Sequence, residues 1–178
     1  MHLMDIDTLF EAAQRDGRVG LARKSQEVDA RPAVPGEIVV TVIADEGKET
    51  QSKPAAEGDM IVRNRCEPSG NEEYLVNAET FAARYRGPLG SGDEDGWHAY
   101  RPLGPDMLYV VVRPEDGEFF FTAPWGEEMV ARPGDALVRN PADPKDTYRV
   151  AASAFECTYE IIDAASTEAQ PAKAPSTE

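Results

Sequence analysis

At 178 residues and 41% hydrophobic content, the chain holds enough apolar material for one ordinary domain or two small halves sharing a core. Eighteen basic against 33 acidic residues leave a formal charge of −15, which opposes broad electrostatic attraction to nucleic acid or an anionic membrane surface. No apolar run is long enough to span a bilayer, and the N-terminus lacks a basic-then-apolar signal pattern. A soluble cytoplasmic protein is therefore expected, with Cys66 and Cys157 as reduced thiols.

Residues 1–36 are expected to form an N-terminal helix and a loop. Asp5 or Asp7 can cap the helix, Leu9, Phe10 and Ala13 form its apolar stripe, and Gly17 stops it; residues 17–36 lack clear periodicity. A first module covers 37–86. The β-branched run Ile38–Ile43 predicts a buried strand, and Lys48–Lys53 its polar partner. Gly58-Asp59 predicts a tight turn, Met60–Asn64 and Tyr74–Val76 strands, and Asn77 the cap of a short helix over Ala78–Arg84. Residues 87–106 form a Gly/Pro linker, within which Trp97-His98-Ala99-Tyr100-Arg101 argues for packing rather than disorder. A hairpin of Met107–Arg113 with Glu118–Thr122 opens the second module, 107–163. A strand near Glu127–Ala131, a turn at Pro133-Gly134-Asp135 and a strand at Ala136–Asn140 follow. A loop over Pro141–Asp146 then leads to a strand at Tyr148–Val150, a helix near Ala152–Thr158 and a last strand, Tyr159–Ile162. The tail, 164–178, is too polar to offset its ordering entropy and is expected to be disordered.

Much of the second module echoes the first. Gly58-Asp59, Val62-Arg63-Asn64, Tyr74, Val76, Phe81 and Tyr85 recur in order as Gly134-Asp135, Val138-Arg139-Asn140, Tyr148, Val150, Phe155 and Tyr159. Length differences fall in the turns, where they cost little. The expected fold is thus α+β: two tandem β-rich modules, each ending in a short helix and related by a pseudo-twofold, plus the N-terminal helix. Arg132-Pro133-Gly134-Asp135-Ala136-Leu137-Val138, with the later Tyr-x-Val and Phe-x-x-x-Tyr, resembles the PGDYG-motif domain of uncharacterised bacterial and phage proteins. Ala136 and Met60 stand where that family carries tyrosine, and Glu57 stands where it carries proline. The resemblance implies a domain type and no catalytic residues.

Candidate sites are few. His98, beside Trp97, Tyr100 and Arg101, is the one histidine placed for proton transfer or ligand contact; its structural alternative is a linker residue docked by its aromatic neighbours. Asp135, Arg139 and Asn140 repeat Asp59, Arg63 and Asn64, and read either as a polar pocket or as turn-closing groups. Trp125, in a turn where the first copy has Glu46, is the leading candidate for ligand or partner contact. The paired aromatics read as core rather than as a base-stacking platform. No nucleophile, phosphate-loop or metal-ligand motif occurs, so neither catalytic residues, cofactor nor metal are assigned. The expectation is a non-catalytic binding or interaction protein whose partner is a protein or small molecule. The alternatives are a small enzyme using an inter-module cleft around His98, and an acidic nucleic-acid mimic that inhibits a basic protein.

Overall fold

Alternation of small apolar with charged residues makes the strands at 20–24 and 28–32, whereas those at 107–111 and 119–122 are apolar runs. The computed structural model describes residues 2–43, 48–124, 126 and 128–166. In order these form β1 (His2–Leu3), α1 (Ile6–Arg15), β2 (Gly20–Lys24), β3 (Val28–Pro32), β4 (Val40–Ile43), β5 (Lys48–Gln51), β6 (Met60–Asn64) and β7 (Glu73–Val76). Next come α2 (Ala78–Arg84), β8 (Tyr85–Arg86), β9 (His98–Pro102), β10 (Met107–Val111), β11 (Phe119–Thr122), β12 (Glu128–Ala131), β13 (Ala136–Asn140), β14 (Asp143–Val150), α3 (Ala152–Thr158) and β15 (Tyr159–Asp163). The fold is α+β. Among the described residues no helix is long and apolar enough to cross a membrane. Two compact units divide the chain: unit 1 takes Met1–Arg23, Pro105–Phe155 and the residues from Glu160 onward, and unit 2 takes Lys24–Gly104 and Glu156–Tyr159.

In unit 2 a five-stranded sheet runs in the order β7-β6-β3-β9-β8. Its central strand, β3, lies in the stretch expected to be loop, and β9 lies in the expected linker. Val28-Asp29-Ala30-Arg31 alternates correctly, with Val28 and Ala30 buried, but alanine carries too little apolar signal to announce a strand. One sheet face packs Val28, Ala30, Val62 and Val76 against Phe81 and Tyr85. Phe81 belongs to α2, whose cap is Asn77: its side chain accepts from Thr80 N–H at 2.8 Å. On the other face Ile61 packs with Ala33, Val39, Ala55, Leu75 and Trp97.

The strand expected to be buried at Ile38–Ile43 is correct as a strand and wrong as to burial. β4 pairs with β5 in a two-stranded sheet, and Val40 and Val42 are 42% and 45% exposed, while Val39 is buried. The polar Thr41 points inward, its Oγ1 donating to the Glu73 carbonyl at 2.6 Å. Cys66 and Cys157, expected as reduced thiols, form a disulfide with Cα atoms 5.9 Å apart. Ninety-one residues separate them, so spacing could not pair them.

In unit 1 a five-stranded sheet runs β14-β13-β10-β2-β15, and a three-stranded sheet β1-β11-β12. Helix α1 starts at Asp5, whose carboxylate accepts from Asp7 N–H at 3.1 Å. Its Ile6, Phe10 and Ala13 form a core with Val110, Val112, Phe119, Phe121, Ala131 and Leu137. The expected hairpin of 107–113 with 118–122 does not form. The expected connection Pro114-Glu115-Asp116-Gly117 forms a 3-10 turn over Pro114–Asp116, and the two strands part into different sheets. β10 is flanked by β13 and β2, and β11 by β1 and β12. β14 also starts inside the expected loop at 141–146; as an edge strand it tolerates Pro144. Gly20 is required where β2 passes Tyr109, since a Cβ there would lie 2.6 Å from its ring and 2.7 Å from the Asp163 carbonyl. Of the expected disordered tail, Ala165 is buried and the Ser166 hydroxyl donates to the Gly17 carbonyl; residues 167–178 lie outside the described residues.

The internal pairings of the two units correspond. Val62 faces Tyr74 and Val138 faces Tyr148; Ile61 faces Leu75 and Leu137 faces Arg149; Met60 faces Val76 and Ala136 faces Val150. Each of these strand pairs leads into a seven-residue helix, α2 or α3, and then a strand opening on Tyr85 or Tyr159.

Candidate functional site

Asp135 and Asp59 do the same structural work. Each follows a glycine at positive φ, 96° at Gly134 and 91° at Gly58, which L side chains rarely adopt. Asp135 accepts from Arg132 N–H at 2.9 Å and from Ala152 N–H, at the start of α3, at 3.1 Å. Asp59 accepts from Ala56 N–H at 2.9 Å and from Ala78 N–H, at the start of α2, at 3.2 Å. A single carboxylate thus closes the turn and caps the helix that packs behind it. Asp135 has one further bond, from Arg149 Nε at 2.8 Å; Leu75 fills the corresponding place in unit 2.

The repeated arginines also have structural partners. The Arg139 guanidinium lies 4.5 Å from the centre of the Phe10 ring and pairs with Asp7. Arg63 lies 4.0 Å from the centre of the Trp97 ring and pairs with Asp29 at 3.5 Å. In each unit, therefore, the arginine of the Val-Arg-Asn stretch holds an aromatic from a different segment through a cation–π contact. Asn140 accepts from Ala142 N–H at 2.9 Å and donates to Asp146.

Strand alternation separates the aromatic cluster at 97–101. Tyr100 faces α2 and meets Phe81 edge-on at 4.8 Å. His98 Nδ1 lies 3.3 Å from the Gly96 carbonyl, and its ring packs directly on Gly92. Trp97 and Arg101 turn to the opposite side, where Arg101 pairs with Glu27 at 3.2 Å. His98 belongs to unit 2, whereas Asp135 and Arg139 belong to unit 1. Trp125 lies outside the described residues.

Two features of unit 2 were not foreseen from sequence. Lys24 Nζ donates to Tyr74 Oη at 2.7 Å, Tyr85 Oη at 3.0 Å and Asn64 Oδ1 at 3.2 Å. Asn64 in turn donates to Glu72 at 2.7 Å, and the Ser69 hydroxyl reaches the other Glu72 oxygen. Burial alone would raise the Tyr85 phenol, but the charge and hydrogen bond of Lys24 hold it below its ordinary value. All three ammonium protons are used inside the chain, so the network is a satisfied polar core. Only the aromatic repeat hinted at it; a lysine forty residues from Asn64 gave no signal.

The second feature is an open groove of about 480 Å³ lined by Asp29, Arg63, Asn64, Arg65, Cys66, Glu67 and Asn71. Its charges are internally matched: Arg65 bonds Asp29 at 2.8 Å and Glu27 at 3.3 Å. Burial alone would raise Asp29, yet Arg65 and Arg63 hold it below its ordinary value; Asp116 in unit 1 is lowered likewise, chiefly by Arg113. A depressed carboxylate contributes stability present above its unfolded value, about 3.9, and lost as pH falls through the folded one. Urea midpoints should therefore fall below about pH 4, and less so in Asp116→Asn, which has no such proton to take up. Parallel curves for that variant and the wild type would contradict the assignment.

Among the described residues no group of three or more His, Cys, Asp or Glu side chains is placed to hold a metal ion. Among the described residues, the exposed hydrophobics Val34, Ile38, Val40 and Val42 fall within nine residues of unit 2. No family model, curated protein or solved structure matches this chain.

Proposed function

We propose that this chain is a non-catalytic protein-binding module, built from two divergent copies of a PGDYG-like unit, whose contact surface is the outward face of the β4–β5 hairpin. The observation that carries this is the inverted β4: Thr41 is turned in and bonded to Glu73, while Val40 and Val42 face solvent. With the half-buried threonine turned in and the valines turned out, the strand leaves an apolar face uncovered that burial against a partner would stabilise. The matching registers, the paired helix-capping aspartates and the paired arginine–aromatic contacts support the duplication. They also support reading Asp135, Arg139, Asn140 and Trp97 as architecture. A small enzyme around His98 has no observation in its favour, because His98 is docked on its own loop.

Extracts of the source cell would be passed over the immobilised chain, over Val40→Lys/Val42→Lys, and over a Glu57→Lys control on an exposed loop. Recovery of the bound protein is expected to drop at least about tenfold for the valine variant alone, with cross-links from the wild type mapping to Lys53. Equal recovery by all three, with unchanged circular dichroism, would overturn the reading.

A further inference from the structure

We infer that the Cys66–Cys157 disulfide is a redox latch on unit 2, holding the 66–72 turn and, through Glu72 and Asn64, the Lys24 network in place. This is independent of the binding proposal above. Cys66 opens the 3-10 turn at Glu67–Ser69 and is 2% exposed. Its N–H donates to Asn71 Oδ1 at 2.8 Å, and its carbonyl accepts from Ser69 N–H at 3.2 Å, which leaves the Ser69 hydroxyl proton for Glu72. The next links are Ser69 to Glu72, Glu72 to Asn64 and Asn64 to Lys24. One continuous set of hydrogen bonds thus joins the half-cystine to Tyr74 and Tyr85. Four residues of that turn and its flanks, Asn64, Cys66, Glu67 and Asn71, line the open groove.

The other half-cystine is more accessible. Cys157 is half-buried, in the segment Glu156–Tyr159 that unit 2 contributes from far along the chain. Its neighbour Thr158 accepts from Ser25 N–H at 2.9 Å and Gln26 N–H at 3.3 Å. A covalent closure across 91 residues removes much chain entropy that hydrogen bonds alone must otherwise offset. A dithiol reductant can attack the Cys157 sulfur, forming a mixed disulfide and releasing Cys66 as a thiolate that takes a proton. The second thiol of the reductant then closes its own disulfide and expels the Cys157 thiolate, which is also protonated. The chain gains two electrons and two protons; the reductant loses the same. The turn is thereafter held by its polar bonds alone.

Hydrogen exchange of the full chain, purified without reductant, tests this before and after dithiothreitol, with Cys66→Ser/Cys157→Ser alongside. The untreated chain should show no free thiol in denaturant. On reduction, peptides covering 64–74 and 154–160 should exchange at least about tenfold faster, while those from β10 and β13 hold their rates. The serine variant should match the reduced chain and ignore dithiothreitol. Free thiols in the untreated chain would overturn the latch, as would unchanged exchange in those peptides. Loss of protection everywhere at once would also overturn it, showing a staple of the whole fold. The reduction arm decides even if the serine variant fails to fold.

Discussion

Replacing Asp135 with alanine is expected to cost about 3–5 kcal/mol of folding stability, the range for breaking a buried ion pair by removing one partner. The Asp135 side chain is 1% exposed and that of Arg149 12%, so water cannot readily stand in for the lost carboxylate. The same change strips an acceptor from Arg132 N–H at the turn and from Ala152 N–H at the start of α3. Asp59→Ala is the internal control. It removes the corresponding two backbone bonds but no guanidinium partner, and should cost about 1–3 kcal/mol. Adding Arg149→Leu to Asp135→Ala should recover a large part of the loss, since leucine is what unit 2 carries in that place and no buried cation is left behind. Urea unfolding followed by circular dichroism reads all three. Equal, small losses for the two aspartates would show that the Arg149 pair contributes nothing.

Phe121→Ala should be comparably severe, at about 3–5 kcal/mol. Its side chain is fully buried among Ile6, Phe10, Val110, Phe119 and Leu137, and truncation leaves a cavity that α1 and three strands would have to collapse to fill. Phe120, one residue away, points to the other side of β11 and is only half-buried, so Phe120→Ala should cost about 1 kcal/mol. The pair tests the strand's alternation directly. Thermal and urea midpoints that shift equally for both would mean that β11 is out of the register seen here.

Local chemistry was readable wherever a few neighbouring residues decide the backbone. The bounds of α2 follow from Asn77 as cap and those of β6 and β13 from a Gly-Asp turn before each. Asp5, likewise, starts α1. The candidate site was less legible. His98, Tyr100, Trp97 and Arg101 looked like one cluster in sequence, but Tyr100 meets Phe81 of α2, His98 docks on Gly92, and Trp97 and Arg101 turn to the opposite face. The Lys24 network could not be foreseen, because its members are brought together by strand pairing across forty to sixty residues.

By itself the sequence determined the α+β class, the capped helices, the tight turns and the doubled pattern of aspartates, arginines and aromatics. Each of these depends on interactions within a few residues. Only the tertiary structure decided that β2, β3 and β9 are strands, that the 107–122 segment splits between two sheets, and that Cys66 bonds Cys157. It also decided which face of β4 meets solvent, since a shift of one residue in pairing exchanges the two sides of a strand without changing its composition. Partners far apart in the chain are chosen by packing, and alanine, glycine and charged residues carry too little local preference to reveal that choice in advance.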